Sequence, residues 1–189
     1  VTGAKTLLSF INLNPGRSQI RRLFIVDQNG RLGNRLTLMT HLLAAACEQK
    51  FELWNLAFKK YAEGFESLSQ NDFRIWPPGR GLKLPEWIHA PLRRWIWYWA
   101  NICPWRSWWG AYRQPGLPAL DLSGAEFLQL RQRHQNLVLW GVDFTAGTLM
   151  VRHGDTVRSL FRPAARVSEN IRKWRQSHPS LAKGWVGLH

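Results

Sequence analysis

Short apolar runs and stretches of helical period take turns along this chain. Leu23-Phe24-Ile25-Val26 is a β-branched and aromatic run between Arg21-Arg22 and Asp27-Gln28-Asn29-Gly30, which predicts a buried strand ending in a turn. From Arg35 to Lys50, Leu36, Met39, Leu42, Leu43 and Ala46 recur at the spacing of one helix face, over about four turns. Phe51-Glu52-Leu53-Trp54 predicts a second strand. The order strand, glycine loop, helix, strand is a βαβ unit, and it predicts a parallel sheet covered by helices.

Further along, Asp121 to His134 has a helical pattern, with Ser123 as its cap and Glu126 at capping-box spacing. Asn136-Leu137-Val138-Leu139-Trp140 reads as a strand ending at Gly141, Pro163 to Ser177 as a last helix, and Gly184 to His189 as the start of a last strand. Residues 77–118 break this rhythm with seven prolines and seven of the twelve tryptophans. They read as a Pro/Trp/Arg-rich insertion or lobe. The fold class is α/β: a Rossmann-like parallel sheet flanked by helices.

Composition narrows the partners. The chain has 189 residues with 45% hydrophobic side chains, which is too apolar for a disordered basic tail. Its 26 Lys+Arg against 12 Asp+Glu give a formal charge of +14. The charge comes in blocks: +5 over residues 1–50, +6 over 74–113 and +6 over 151–189, separated by slightly acidic stretches. Such patches suit an anionic partner: a phosphate, a nucleic acid or a membrane surface. Cys47 and Cys103 supply neither a disulfide framework nor a zinc spacing, so no metal is expected. The longest apolar region, Trp95 to Trp105, is far shorter than the ~20 residues of a spanning helix. The expectation is a cytoplasmic protein, with peripheral contact at a membrane surface left open.

The candidate chemistry begins at Gly30-Arg31-Leu32-Gly33-Asn34-Arg35, between the first strand and the first helix. Glycines there allow a sharp turn, and a helix N-terminus presents free N–H groups and partial positive charge. With Arg31 and Arg35 beside it, the loop suits an anion. It is neither a Walker A loop nor Gly-x-Gly-x-x-Gly. Taken alone it is equally an ordinary αβ turn.

The wider string GRLGNRLTLMTHLLAAACEQKFELWNLAF resembles the N-terminal signature of the fucosyltransferase superfamily, in particular bacterial members similar to glycosyltransferase family 11. Phe58 to Leu68 is similar to that family's short Tyr/Phe segment, and Leu139 to Phe144 to the strand and turn after its variable middle. His153 to Pro163 is similar to the helix and Phe-x-Pro before its next strand. In the family that strand ends in His-x-Arg-x-x-Asp, whose Arg holds the donor's diphosphate. Trp185-Val186-Gly187-Leu188-His189 looks like the strand, with His189 as the motif's first residue. Residues 1–189 are therefore expected to be the incomplete N-terminal α/β domain of a GT-B-like enzyme. Arg152 and Asp155, in Val151-Arg152-His153-Gly154-Asp155, form the alternative to that reading of His189.

The resemblance implies fucose transfer from GDP-fucose to a glycan hydroxyl by a metal-independent, inverting route, with the nucleotide sugar as substrate rather than cofactor. Fixed cations and N–H dipoles would hold the departing diphosphate. Gly30, Arg31, Gly33, Asn34 and Arg35 are the donor and phosphate candidates; Asp27 and His189 are the catalytic candidates. Asn34 is also a plausible helix cap, Asp27 a turn cap, His41 a packed or surface residue, and Asp143 an ambiguous carboxylate. Trp95, Trp99 and Trp105 with Arg94 are candidates for acceptor or membrane-surface contact, against the alternative of an aromatic subcore. The period-two spacing of Trp95, Trp97 and Trp99 spreads them around a helix and gives no clean amphipathic membrane helix. The rival to an enzyme is a basic module that binds nucleic acid or an anionic surface without catalysis.

Overall fold

In the computed structural model the residues described are 21–27, 32–68, 74–78, 85–102, 108–113, 118–141 and 143–178. The elements run β1 (Arg22–Ile25), α1 (Leu32–Gln49), β2 (Glu52–Asn55), α2 (Lys59–Ala62), β3 (Arg74–Trp76), α3 (Glu86–Ile102) and β4 (Trp109–Arg113). Then follow β5 (Leu120–Asp121), α4 (Ala125–Arg133), β6 (Asn136–Trp140), β7 (Phe144–Thr145), α5 (Gly147–Leu160) and α6 (Ala165–Ser177). Five strands form one sheet in the order β3-β2-β1-β6-β4, and β5 and β7 make a small parallel pair. β1 pairs in parallel with both β2 and β6, and β4 in parallel with β6. β3 joins the far edge antiparallel. The architecture is α/β with a mixed, mainly parallel sheet, compatible with a Rossmann-like fold.

The strand runs are continuously apolar because both faces of the sheet are covered. Leu23, Ile25, Leu53, Leu137 and Leu139 point to one face, where they pack with Leu38, Met39, Leu42 and Leu43 of α1, Phe127 of α4 and Val157 of α5. Phe24, Val26 and Val138 point to the other face, against Leu92, Ile96, Trp97 and Ala100 of α3. Residues 77–118 are thus more closely built into the sheet than their reading as an insertion or lobe suggests. Their described parts supply the helix over the second face and the edge strand β4. Pro91 lies inside α3 on its exposed side and removes one helical N–H donor.

Two details differ from the sequence reading. α4 starts at Ala125, and Ser123 does not cap it. Instead Asp121 closes the turn, its Oδ1 accepting from the Ser123 N–H at 2.9 Å and the Ser123 hydroxyl at 2.7 Å. The buried Arg131 of α4 also has a role the sequence concealed. It donates to the Gln49 carbonyl at 2.9 Å, at the negative end of α1, and lies over the Phe51 ring at 5.9 Å. Burial pushes its guanidinium below the ordinary value.

α1 and α5 are joined by polar contacts around their shared apolar seam. Glu48 pairs with Arg152, and with His153 at 2.7 Å. The bond from His153, followed by the charge of Arg152, holds the Glu48 carboxyl below the usual range. At the start of α5, the Ala146 N–H donates to His41 Nδ1 at 3.1 Å. His41 is therefore packed, as one of its two readings had it.

Two predictions follow from these contacts. A Cβ at Gly110 would lie 2.5 Å from the His134 ring, so Gly110→Ala should cost about 1–3 kcal/mol by overpacking. His134→Ala in the same chain should restore most of that loss, as read by denaturant midpoints. The second concerns His41, whose pKa burial lowers below its ordinary value of 6.5. The unfolded chain then takes up the proton first, so this contribution is complete above the unfolded pKa and declines as pH falls through it. Between about pH 7.5 and 5.5 the wild type should lose more stability than His41→Gln.

Candidate functional site

The chain leaves β1 for β2 on one side, and later occupies β6 and β4 on the other. The carboxyl end of β1 therefore lies where the strand order reverses, the position at which open α/β sheets open a crevice for ligands. Val26 and Asp27 occupy that end; both are buried, Asp27 with 6% exposure. The adjacent carboxyl end of β6 carries Trp140 and then Gly141, whose φ of 129° favours glycine.

The first turn of α1 begins beyond Asp27. Gly33 and Asn34 are exposed there, and nothing lies within 4 Å of where a Gly33 Cβ would sit. Because α1 starts at Leu32, Asn34 is inside the helix and is not its cap. Arg35 is half-buried. Its guanidinium donates to the Ala57 carbonyl at 2.9 Å and lies over the Tyr61 ring at 5.3 Å. Asn55 Oδ1 accepts from the Ala57 N–H at 2.9 Å, so the turn leaving β2 is held from two sides. Arg35 thus does structural work that the sequence did not reveal.

α3 brings a second arginine to this place. Burial, then the charges of Arg94 and Arg35, push the Arg93 guanidinium below its ordinary value, while Asp27 acts in the opposite direction. Arg93 therefore feels both the charge of Arg35 on α1 and that of Asp27 at the β1 end. Arg93 was not among the site residues read from the sequence. Its signal was hidden because residues 77–118 read as a lobe away from the sheet, whereas α3 lies against Phe24 and Val26. An anion entering this region would meet several cations and the α1 N-terminal turn, with one buried carboxylate beside them.

Comparison with protein-family models, with curated proteins and with solved structures finds no match.

The remaining candidates divide. Arg94 and Trp95 are exposed on α3, and Trp99 stacks on Trp95 with centroids 5.7 Å apart and planes 11° apart. Gly30, Arg31, Trp105 and His189 lie outside the described residues, as does the strand read over Gly184–His189. The alternative motif falls in the middle of α5, not at a strand end: Arg152 pairs with Glu48, and Asp155 with Arg158 at 2.6 Å. Asp143 holds the small β5–β7 pair, its carbonyl accepting from the Leu120 N–H at 2.9 Å. Among the described residues no group of His, Cys, Asp and Glu could hold a metal, and no helix is long and apolar enough to cross a membrane. A separate cleft of about 490 Å³ opens between α1 and α5, lined by Leu36, Thr40, Phe65, Met150, Val157 and Arg158 among others.

If Asp27 and Arg93 compensate one another, a double-mutant cycle will register it. Asp27→Asn alone leaves the arginines mutually repelling and should destabilise by about 1–3 kcal/mol. Combined with Arg93→Met, the loss should be smaller than the sum, with a coupling of about 1 kcal/mol in urea unfolding.

Proposed function

We propose that this protein is a glycosyltransferase of the fucosyltransferase-like kind, built on a GT-B-like plan and forming that enzyme's N-terminal part. It transfers fucose from GDP-fucose to a glycan hydroxyl. The observation that carries the reading is the charge around the β1 end: half-buried Arg35 in the first turn of α1 and half-buried Arg93 on α3, with Asp27 buried at the end of the strand. The resemblance of residues 30–58 supplies the donor's identity.

In inverting transfer the bond from sugar carbon to phosphate oxygen breaks as the acceptor oxygen attacks from the opposite face. Positive charge grows on the sugar and negative charge on the leaving diphosphate. Arginines fixed at the crevice are stabilising only to the extent that they meet that developing charge. Arg93 fills this role, while Arg35 shapes the turn beside it. Asp27 is the group to receive the acceptor's proton, given its place at the carboxyl end of β1.

The test is fucose transfer and GDP binding measured on the full gene product. GDP should bind saturably, and Arg93→Ala should weaken it on the order of tenfold. Asp27→Asn should lower kcat far more than GDP affinity. Absence of GDP binding, together with tight binding to single-stranded DNA or RNA that falls steeply with salt, would overturn the reading in favour of a basic nucleic-acid module.

A further inference from the structure

A helix of a soluble domain normally turns one apolar stripe to the core and a polar face to water. α3 departs from this. Its inner face, His89, Ile96 and Ala100, is buried, and Trp97 turns inward to meet Trp140 at 4.9 Å. On the opposite side Trp87, Pro91, Trp95, Tyr98 and Ile102 follow one another at intervals of four, four, three and four residues, which is a second continuous stripe. Trp87 is 76% exposed, Trp95 56%, Tyr98 63% and Ile102 51%. Trp99, stacked on Trp95, widens the stripe, and exposed Arg94 flanks it. The period-two tryptophans alone had argued against an amphipathic helix, and they do divide between faces. The outer stripe is completed by residues that a count of tryptophans passes over.

We propose that this outer face of α3 binds the surface of an anionic lipid bilayer, with the helix lying parallel to the membrane plane. Indole and phenol rings with arginine beside them are the side chains that favour the headgroup boundary. Charge selects the occupant. The helix carries one acid, Glu86, against Arg93 and Arg94, residues 74–113 carry +6, and the chain carries +14. Two copies meeting through this face would bring like charges together, whereas an anionic bilayer attracts them. The stripe is too short and too exposed on one side only to span, so the contact is peripheral.

The experiment is co-sedimentation of the full chain with vesicles of phosphatidylcholine, with and without phosphatidylglycerol, together with tryptophan quenching by lipids brominated along the acyl chain. The protein should partition onto the anionic vesicles and be quenched there. A Trp95→Ser/Tyr98→Ser double variant with unchanged circular dichroism should partition on the order of tenfold less. Trp174→Ser, which removes an exposed indole from α6, should partition as the wild type does. If the double variant does not fold, Trp87→Ser at the exposed start of α3 serves in its place, and acyl-chain quenching of the wild type remains decisive. The proposal is overturned by absence of partitioning or quenching, or by equal losses in the α3 and α6 variants. A concentration-dependent dimer that the α3 substitutions abolish would also overturn it, assigning the face to a second copy.

Discussion

Everything in this molecule depends on β1 being apolar on both faces. Four residues, Leu23 to Val26, send side chains alternately into two cores, one under α1, α4 and α5 and one under α3. A strand so placed must be central and must be covered twice. With parallel partners on both sides, each crossover needs a helix, and the chain must leave in one direction and return in the other. The reversal of strand order at the β1 carboxyl end is a geometric result of that requirement. α1 and α3 cover opposite faces of the sheet, so the charges of Arg35 and Arg93 act on one another past the end of the strand that carries Asp27.

The first half of the fold was legible because its periods are clean. The Leu36 to Ala46 spacing, the strand runs at residues 23 and 51 and the run at Asn136 each correspond to an element within a few residues. Residues 77–118 were harder for a physical reason. α3 carries apolar residues on its outer as well as its inner face, and three tryptophans at period two imitate a strand-like alternation. Pro91 added a false boundary, since a proline on the exposed side of a helix removes a donor without breaking the packing. Once α3 had been read as a lobe, the strand β4 that follows it could not be recognised as part of the sheet.

The candidate site was legible in one half only. The loop and α1 announced themselves through glycine and arginine in sequence, and Asp27 through its place after a strand. Arg93 belongs to a contact between distant segments, and no spacing rule reaches it. Arg35 shows the opposite error. In sequence it resembles a free cation in a phosphate loop, yet in the fold one side of its guanidinium is occupied by the Ala57 carbonyl and the Tyr61 ring. The same side chain that could serve a ligand already positions the wall of the crevice, so its two roles cannot be separated by deletion alone.

The segment after α2 is tied to the end of α5 by a short strap. Phe65 bridges Pro163, the Glu66 N–H donates to the Arg162 carbonyl at 3.0 Å, and the Ala164 N–H donates to the Gly64 carbonyl at 2.9 Å. Phe58, Phe65 and Phe161 pack around it, the last two with centroids 5.3 Å apart. Through hydrogen bonds and ring packing, this strap closes a loop of chain that takes in β3, α3, β4, β5, α4, β6, β7 and α5. The segment after α2 and the end of α5 are thereby held to one another, so opening of either releases both as one local unit.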